Sequence, residues 1–251
     1  MKKSFITLVF AIIASTNLFS QSNTVSNEPF DVQSRFYRSA LKNFDLPAAT
    51  VALYNMMAIK PERTDLNDSL ALLYFASERY AQAYTVGQEI VNNNPKRLDM
   101  LELVAVSKQN LGMIKESLAD YEKLYAQQKA LLYLYQMATL QYQLKRFGEC
   151  IASLDEIIGN ADAEKQKVNI RMQNGSQDVP MKAAAYNVKG ICAIELNQKD
   201  IAKENFTKAL QAFPDFALAK GNLESLDKKK DDSAGTKTST GGTKTTTTPK
   251  K

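Results

Sequence analysis

Apolar and polar positions alternate along this chain in short blocks with the period of an α-helix, and the blocks come in pairs. The clearest pair lies between Tyr186 and Pro214. Its spacing predicts one helix over residues 182–196 and a second over 201–213, with a tight turn near Asn197–Asp200. Gly190 stands where a neighbouring helix must approach closely, and Ala202, Phe206 and Ala209 fall on one face of the second helix. Pro214 stops that helix. A single helical hairpin cannot bury both of its apolar faces, so it needs neighbours of its own kind.

The same pattern recurs upstream. A small residue occupies one column at Ala49, Ala83, Ser117, Cys150 and Ala202, with spacings of 34, 34, 33 and 52 residues. Twelve residues earlier stand Tyr37, Ala71, Ala105, Ala138 and Gly190; seven residues later stand Met56, Ile90, Leu124, Ile157 and Ala209. An apolar residue precedes the small one by three positions at Leu46, Tyr80, Ile114 and Phe147, and by one at Ile201. Pro61, Pro95 and Pro214 close three of the five units. A period near 34 with two small columns and a terminal proline resembles the tetratricopeptide repeat (TPR). Tyr37 in a small column, and Lys129 and Asp162 where a closing proline belongs, depart from that pattern.

The resemblance implies an all-α fold, a right-handed α-α superhelical solenoid of about five units. The units are residues 30–63, 64–97, 98–130, 131–164 and 183–216, with a capping helix over 217–227. The 52-residue spacing leaves an insertion, residues 165–182. There Val168, Ile170 and Met172 alternate with polar residues, and Val179 and Met181 do so on the return. Asn174-Gly175 favours a two-residue turn, so a β-hairpin is expected over about 167–181, with Pro180 at an edge or strand end. A loop is the other reading of that segment.

The chain ends differ from its middle. Residues 1–20 read as a secretory signal peptide, with Lys2 and Lys3 before an apolar run and Ser20 before a cut at Gln21. Residues 21–29 form a polar lead-in. Residues 228–251, rich in Lys, Thr and Gly, hold too few apolar groups to offset ordering and are expected to be disordered. The mature chain is therefore expected to be exported, periplasmic or otherwise secreted or associated with the outer membrane, with no membrane span. Asp68-Ser69-Leu70 and Asp232-Ser233-Ala234 resemble the O-glycosylation site of exported Bacteroidetes proteins, and Ser233, in the tail, is the accessible one. Gln21 after the cut fits that group too.

Charge narrows the function. The full chain carries a formal +5. Yet residues 228–251 hold seven lysines and two aspartates, while residues 21–227 hold 23 basic and 25 acidic residues, a net of −2. The basic character sits in the tail, which argues against a nucleic-acid-binding domain. There is no His, so the commonest general base and zinc ligand are missing. No nucleophile–base constellation, phosphate loop or dinucleotide-binding glycine cluster occurs, so neither enzyme activity, cofactor nor metal is expected. Asp65, Asp68, Asp99 and Glu102 pair along first helices, where capping and solvation explain them better than acid–base work. Cys150 and Cys192 either pair in an oxidising compartment or serve as small buried apolar residues, the reading favoured here.

Stacked helical hairpins curve, with the first helices on the concave side. The first-helix residues left over from packing form a candidate partner-binding groove. They are Arg38 and Lys42 at one end, then Asp68 and Phe75, then Gln109 and Asn110, then Tyr135, Tyr142 and Asn187. Exposed tyrosines beside amides suit a protein or peptide partner. The expected function is a non-enzymatic interaction scaffold in the cell envelope. The alternative is a carbohydrate- or cell-wall-binding module that stacks sugars on Tyr135 and Tyr142. The oligomeric state stays open.

Overall fold

The computed structural model describes residues 28–172 and 175–235, with residues 227–235 described by backbone alone. Among these are eleven α-helices, ten of them in five antiparallel pairs. The first pair is α1 (Pro29–Lys42) and α2 (Leu46–Ile59), the second α3 (Leu66–Ala76) and α4 (Tyr80–Asn93). The third is α5 (Leu98–Asn110) and α6 (Ile114–Gln128), the fourth α7 (Leu131–Gln143) and α8 (Phe147–Gly159). A short 3-10 turn (Ala161–Glu164) and strands β1 (Lys167–Met172) and β2 (Gly175–Pro180) lead into the fifth pair, α9 (Met181–Glu195) and α10 (Lys199–Ala212). Helix α11 (Ala217–Gly235) follows.

Each helix packs on its chain neighbour, and first helices also touch across pairs, α3 on α5 and α7 on α9. This nearest-neighbour stacking is a right-handed superhelical solenoid, with the first helices crowded on the inside of the bend. The repeating columns explain it. Ala49, Ala83, Ser117, Cys150 and Ala202 have no exposed surface, nor do Ala71, Ala105 and Ala138. At these crossings the paired backbones come close, and Leu53, Leu73, Leu124, Leu154 and Phe206 fill the space beside them. A Cβ on Gly190 would meet the Phe206 ring at 2.5 Å, so the column needs glycine there. Tyr37, the one large residue in its column, is buried against the second pair. Its hydroxyl bonds to Ser69 of the second pair.

One turn design joins the helices within every pair. Phe44, Glu78, Gly112, Lys145 and Asn197 all adopt left-handed backbone, and each lies five residues before the small column. The next N–H bonds back to the first helix, as in Asp45 to the Ala40 carbonyl and Arg146 to the Gln141 carbonyl, both 2.9 Å. These bonds form a Schellman motif, which satisfies the carbonyls that a helix end leaves open. Between pairs, Lys60, Asn94 and Phe213 are extended before Pro61, Pro95 and Pro214, as a following proline requires. The third pair has no such proline, and left-handed Lys129 turns the chain instead.

The insertion forms a hairpin in which Val168 pairs with Val179 and Lys167 with Pro180. Both valines are buried, in one cluster with Leu131, Ala163 and Met181, so the sheet's apolar face rests on helices. Met181 starts α9 rather than ending the strand. The register pairs Met172 with Gly175, so Gly175 belongs to β2 and not to the turn expected at Asn174-Gly175. Gln173 and Asn174 lie outside the described residues. Gln177 fixes the other side, its side chain bonding to the Asp215 carbonyl and the Ala217 N–H.

Helix α11 continues to Gly235, beyond the expected boundary at residue 227. Lys and Ala are good helix formers and Asp is tolerated, so the Lys-Lys-Lys-Asp-Asp-Ser-Ala stretch prolongs a helix already nucleated. The backbone at Ser233 is helical. The signal peptide, most of the lead-in and residues 236–251 lie outside the described residues.

Candidate partner-binding trough

Because each pair repeats the last, its inner surface is best described by columns counted from the small residue of the first helix. Three before it stand Ser34, Asp68, Glu102, Tyr135 and Asn187; four after it stand Leu41, Phe75, Gln109, Tyr142 and Ile194. These two columns face the seam between successive first helices. Ser34, Leu41, Phe75, Tyr135 and Asn187 are buried there, and the others are half-buried.

Three residues expected to line an open groove are therefore inside the packing. Phe75 meets the Tyr80 ring edge-on at 5.8 Å, in a core that also holds Leu103 of α5. Tyr135 packs in the α7–α9 core, and burial pushes its phenol up to about 12. A sugar cannot stack on it. Asn187 accepts a 3.0 Å hydrogen bond from Asn222 of α11, because that helix takes the place a sixth unit would fill.

The half-buried carboxylates are engaged too. Asp68 bonds to Arg97 at 2.8 Å, and the same guanidinium grips Asp99 in a two-pronged contact. Arg97 holds the Asp99 carboxyl below its usual range. Arg63 and Asp65 repeat that fork one unit earlier, so Asp65 pairs with Arg63 instead of capping α3 with its side chain. Glu102 accepts from the Tyr133 hydroxyl at 2.9 Å, and burial raises its pKa more than that bond lowers it. The Asp68–Arg97 and Glu102–Tyr133 contacts tie successive units together, while the two forks hold Asp65 and Asp99 beside arginines of their own segment. Among the described residues no group of three His, Cys, Asp or Glu could hold a metal ion.

The open row lies elsewhere, one and five residues after the small column. Arg38, Lys42, Asn110, Gln143 and Glu195 are exposed on it. Leu72, Ala76, Val106, Thr139 and Ile191 are half-buried between them, so the second pair adds only apolar groups to the row. Tyr142 and Gln109 rise half-buried from the adjoining seam, and the Tyr142 hydroxyl points to Glu195 at 3.4 Å. Asn110 donates one N–H to the Val106 carbonyl at 2.8 Å, which leaves its amide oxygen and second N–H for other contacts. The row runs from cationic at the first pair, through amides, to anionic at the fifth. Sequence reasoning picked Arg38, Lys42, Asn110, Gln109 and Tyr142 and missed Gln143 and Glu195, which share the column of Lys42 and Asn110.

A separate depression of about 640 Å³ opens between the hairpin base, α9 and α10, lined by Glu164, Lys182, Tyr186, Lys208 and Gln211. Lys182 bonds to Glu164 at 2.7 Å and Lys208 to Glu204 at 2.6 Å, so both its cations are neutralised locally.

Stacked helix pairs with this period, turn and curvature define a TPR-type solenoid. Residues 183–216, the fifth pair, match the family model described as tetratricopeptide repeat. No curated protein matches the chain. The fold is similar to that of YrrB, a TPR protein described as having an unusual peptide-binding site, at TM-score 0.58 and 14% identity over 79% of this chain and 90% of that one. It is similar to MamA at 0.57 and 12%, covering 74% and 93%. MamA from Desulfovibrio magneticus RS-1, residues 41 to the end, gives 0.59 and 11%, covering 77% and 99%.

Proposed function

We propose that the chain is a non-enzymatic scaffold of the cell envelope that holds an extended protein segment along its inner row. The observation that carries this reading is the graded row itself. Packing takes up much of the two seam columns, while Arg38, Lys42, Asn110, Gln143 and Glu195 stay exposed on the first helices, which supports this row as the open face. Amides in mid-row suit the backbone of an extended peptide, which offers a donor and an acceptor at every residue. The charges at the two ends favour a segment whose acidic part lies at the first pair and whose basic part lies at the fifth. The fold likeness to a peptide-binding TPR protein supports the class of partner, and the signal-like residues 1–20 support export.

Photo-crosslinking in the native envelope tests the reading. A crosslinker at Asn110 or Gln143 should capture a protein, whereas one at Glu122, exposed on the second helix α6, should not. The combined reversal Lys42→Glu with Glu195→Lys should weaken capture about tenfold or more. Crosslinks that arise from Glu122 alone would reject the inner row as the binding surface. Export is checked separately by the N-terminal sequence of the mature chain, expected to start at Gln21.

A further inference from the structure

The only two cysteines of the chain meet in its core. Cys150 lies in the small column of α8 and Cys192 on α9, 42 residues apart, and their sulfurs stand 3.5 Å from one another. Neither has exposed surface. A disulfide needs the sulfurs at about 2.05 Å, so each has to move by only ~0.7 Å, within the reach of a side-chain torsion. No third cysteine competes for either partner.

We infer that Cys150 and Cys192 form a disulfide that locks the fourth helical pair to the fifth. Two S–H bonds break and one S–S bond forms. Two electrons and two protons pass to an oxidising disulfide, such as glutathione disulfide or a thiol oxidase, which leaves as two thiols. The bond closes during folding, while the sulfurs are still within reach of the oxidant. Once the pair is buried, thiolate attack on it from solvent is blocked, so the bond persists in the native state.

Position gives the bond a consequence. The closed loop contains the whole hairpin insertion, the one segment that breaks the repeat. Tyr142, at the anionic end of the inner row, packs against the core cluster that holds both cysteines. Oxidation therefore fixes the α8–α9 seam on which the end of the trough rests.

The chain refolded from denaturant with glutathione disulfide tests the geometry, and this arm does not depend on export. Intact mass should fall by about 2 Da, the two hydrogens lost, and an alkylating reagent under denaturing conditions should add nothing until reductant is supplied, then two labels. Reductant should lower the melting temperature by about 5–10 °C, as expected for a loop of this length. The Cys150→Ala Cys192→Ala protein should show no reductant effect. Two labels taken up without reductant after oxidative refolding would overturn the inference. The same labelling on protein taken from its native compartment examines the export reading: a bond that closes in the tube and is open in the cell counts against export and leaves the geometry standing.

Discussion

Five residues in left-handed backbone bend the helical pairs, and only one is glycine. Phe44, Glu78, Lys145 and Asn197 have φ between 56° and 58°, against 76° for Gly112. Asn tolerates this region, but Phe, Glu and Lys pay roughly 1–2 kcal/mol of steric strain there. Glycine removes the strain and returns part of the gain as chain entropy. Glu78→Gly and Lys145→Gly should each stabilise the protein by about 1 kcal/mol, raising the melting temperature by about 2–4 °C. Gly112→Ala should lower it by a similar amount, through backbone strain alone, since a Cβ there meets nothing within 4 Å. Calorimetry decides, and glycine variants that melt lower than the parent would show that the turn geometry is misread. The turn expected near Asn197 is one of these, and the residue types at Gly112 and Asn197 favour the left-handed backbone. At Phe44, Glu78 and Lys145 no residue type announced it. The fixed distance to the small column is the signal that finds all five.

Helices and strands were legible wherever their pattern repeated, and less so where contacts between elements decide. The small columns, the prolines and the place of the hairpin could be read because each reports a local requirement. The hairpin's register could not, because the burial of Val168 against Val179, not the turn dipeptide, sets it. Nor could the ion pair that ties α5 to α6. Lys108 bonds to Asp120 at 2.6 Å with both side chains nearly out of solvent, and Lys108 also lies over the Tyr84 ring. In sequence these are two ordinary charged residues. Removing one partner strands the other charge in the core. Asp120→Ala should cost about 3–5 kcal/mol in urea unfolding, and Lys108→Met with Asp120→Leu should restore much of it. If Asp120→Ala costs under about 1 kcal/mol, the pair is solvated and acts as a surface contact.

At the scale of the whole molecule, the trough was harder to foresee than the solenoid, because curvature decides which columns close. Phe75, Tyr135 and Asn187 read as groove residues from the periodicity of single helices. The bend brings successive first helices together over two of them, and α11 covers the third. That capping role makes a further expectation about cooperativity. Leu223 and Leu226 of α11 pack on Ala193, Ala202 and Phe206, all nearly or wholly buried in the fifth pair. A chain ending at Phe216 would open that surface to water. Exposing one large side chain of this kind costs about 1.5–3 kcal/mol. In a linear array this loss falls on the nearest unit and fades along the stack. Hydrogen exchange of the truncated chain should therefore accelerate at α9 and α10 by about 10- to 100-fold, while α3 to α6 change little. Equal acceleration in all pairs would mean that the molecule unfolds as one closed globule, and the open trough, which depends on stacking of neighbour on neighbour, would lose its physical basis.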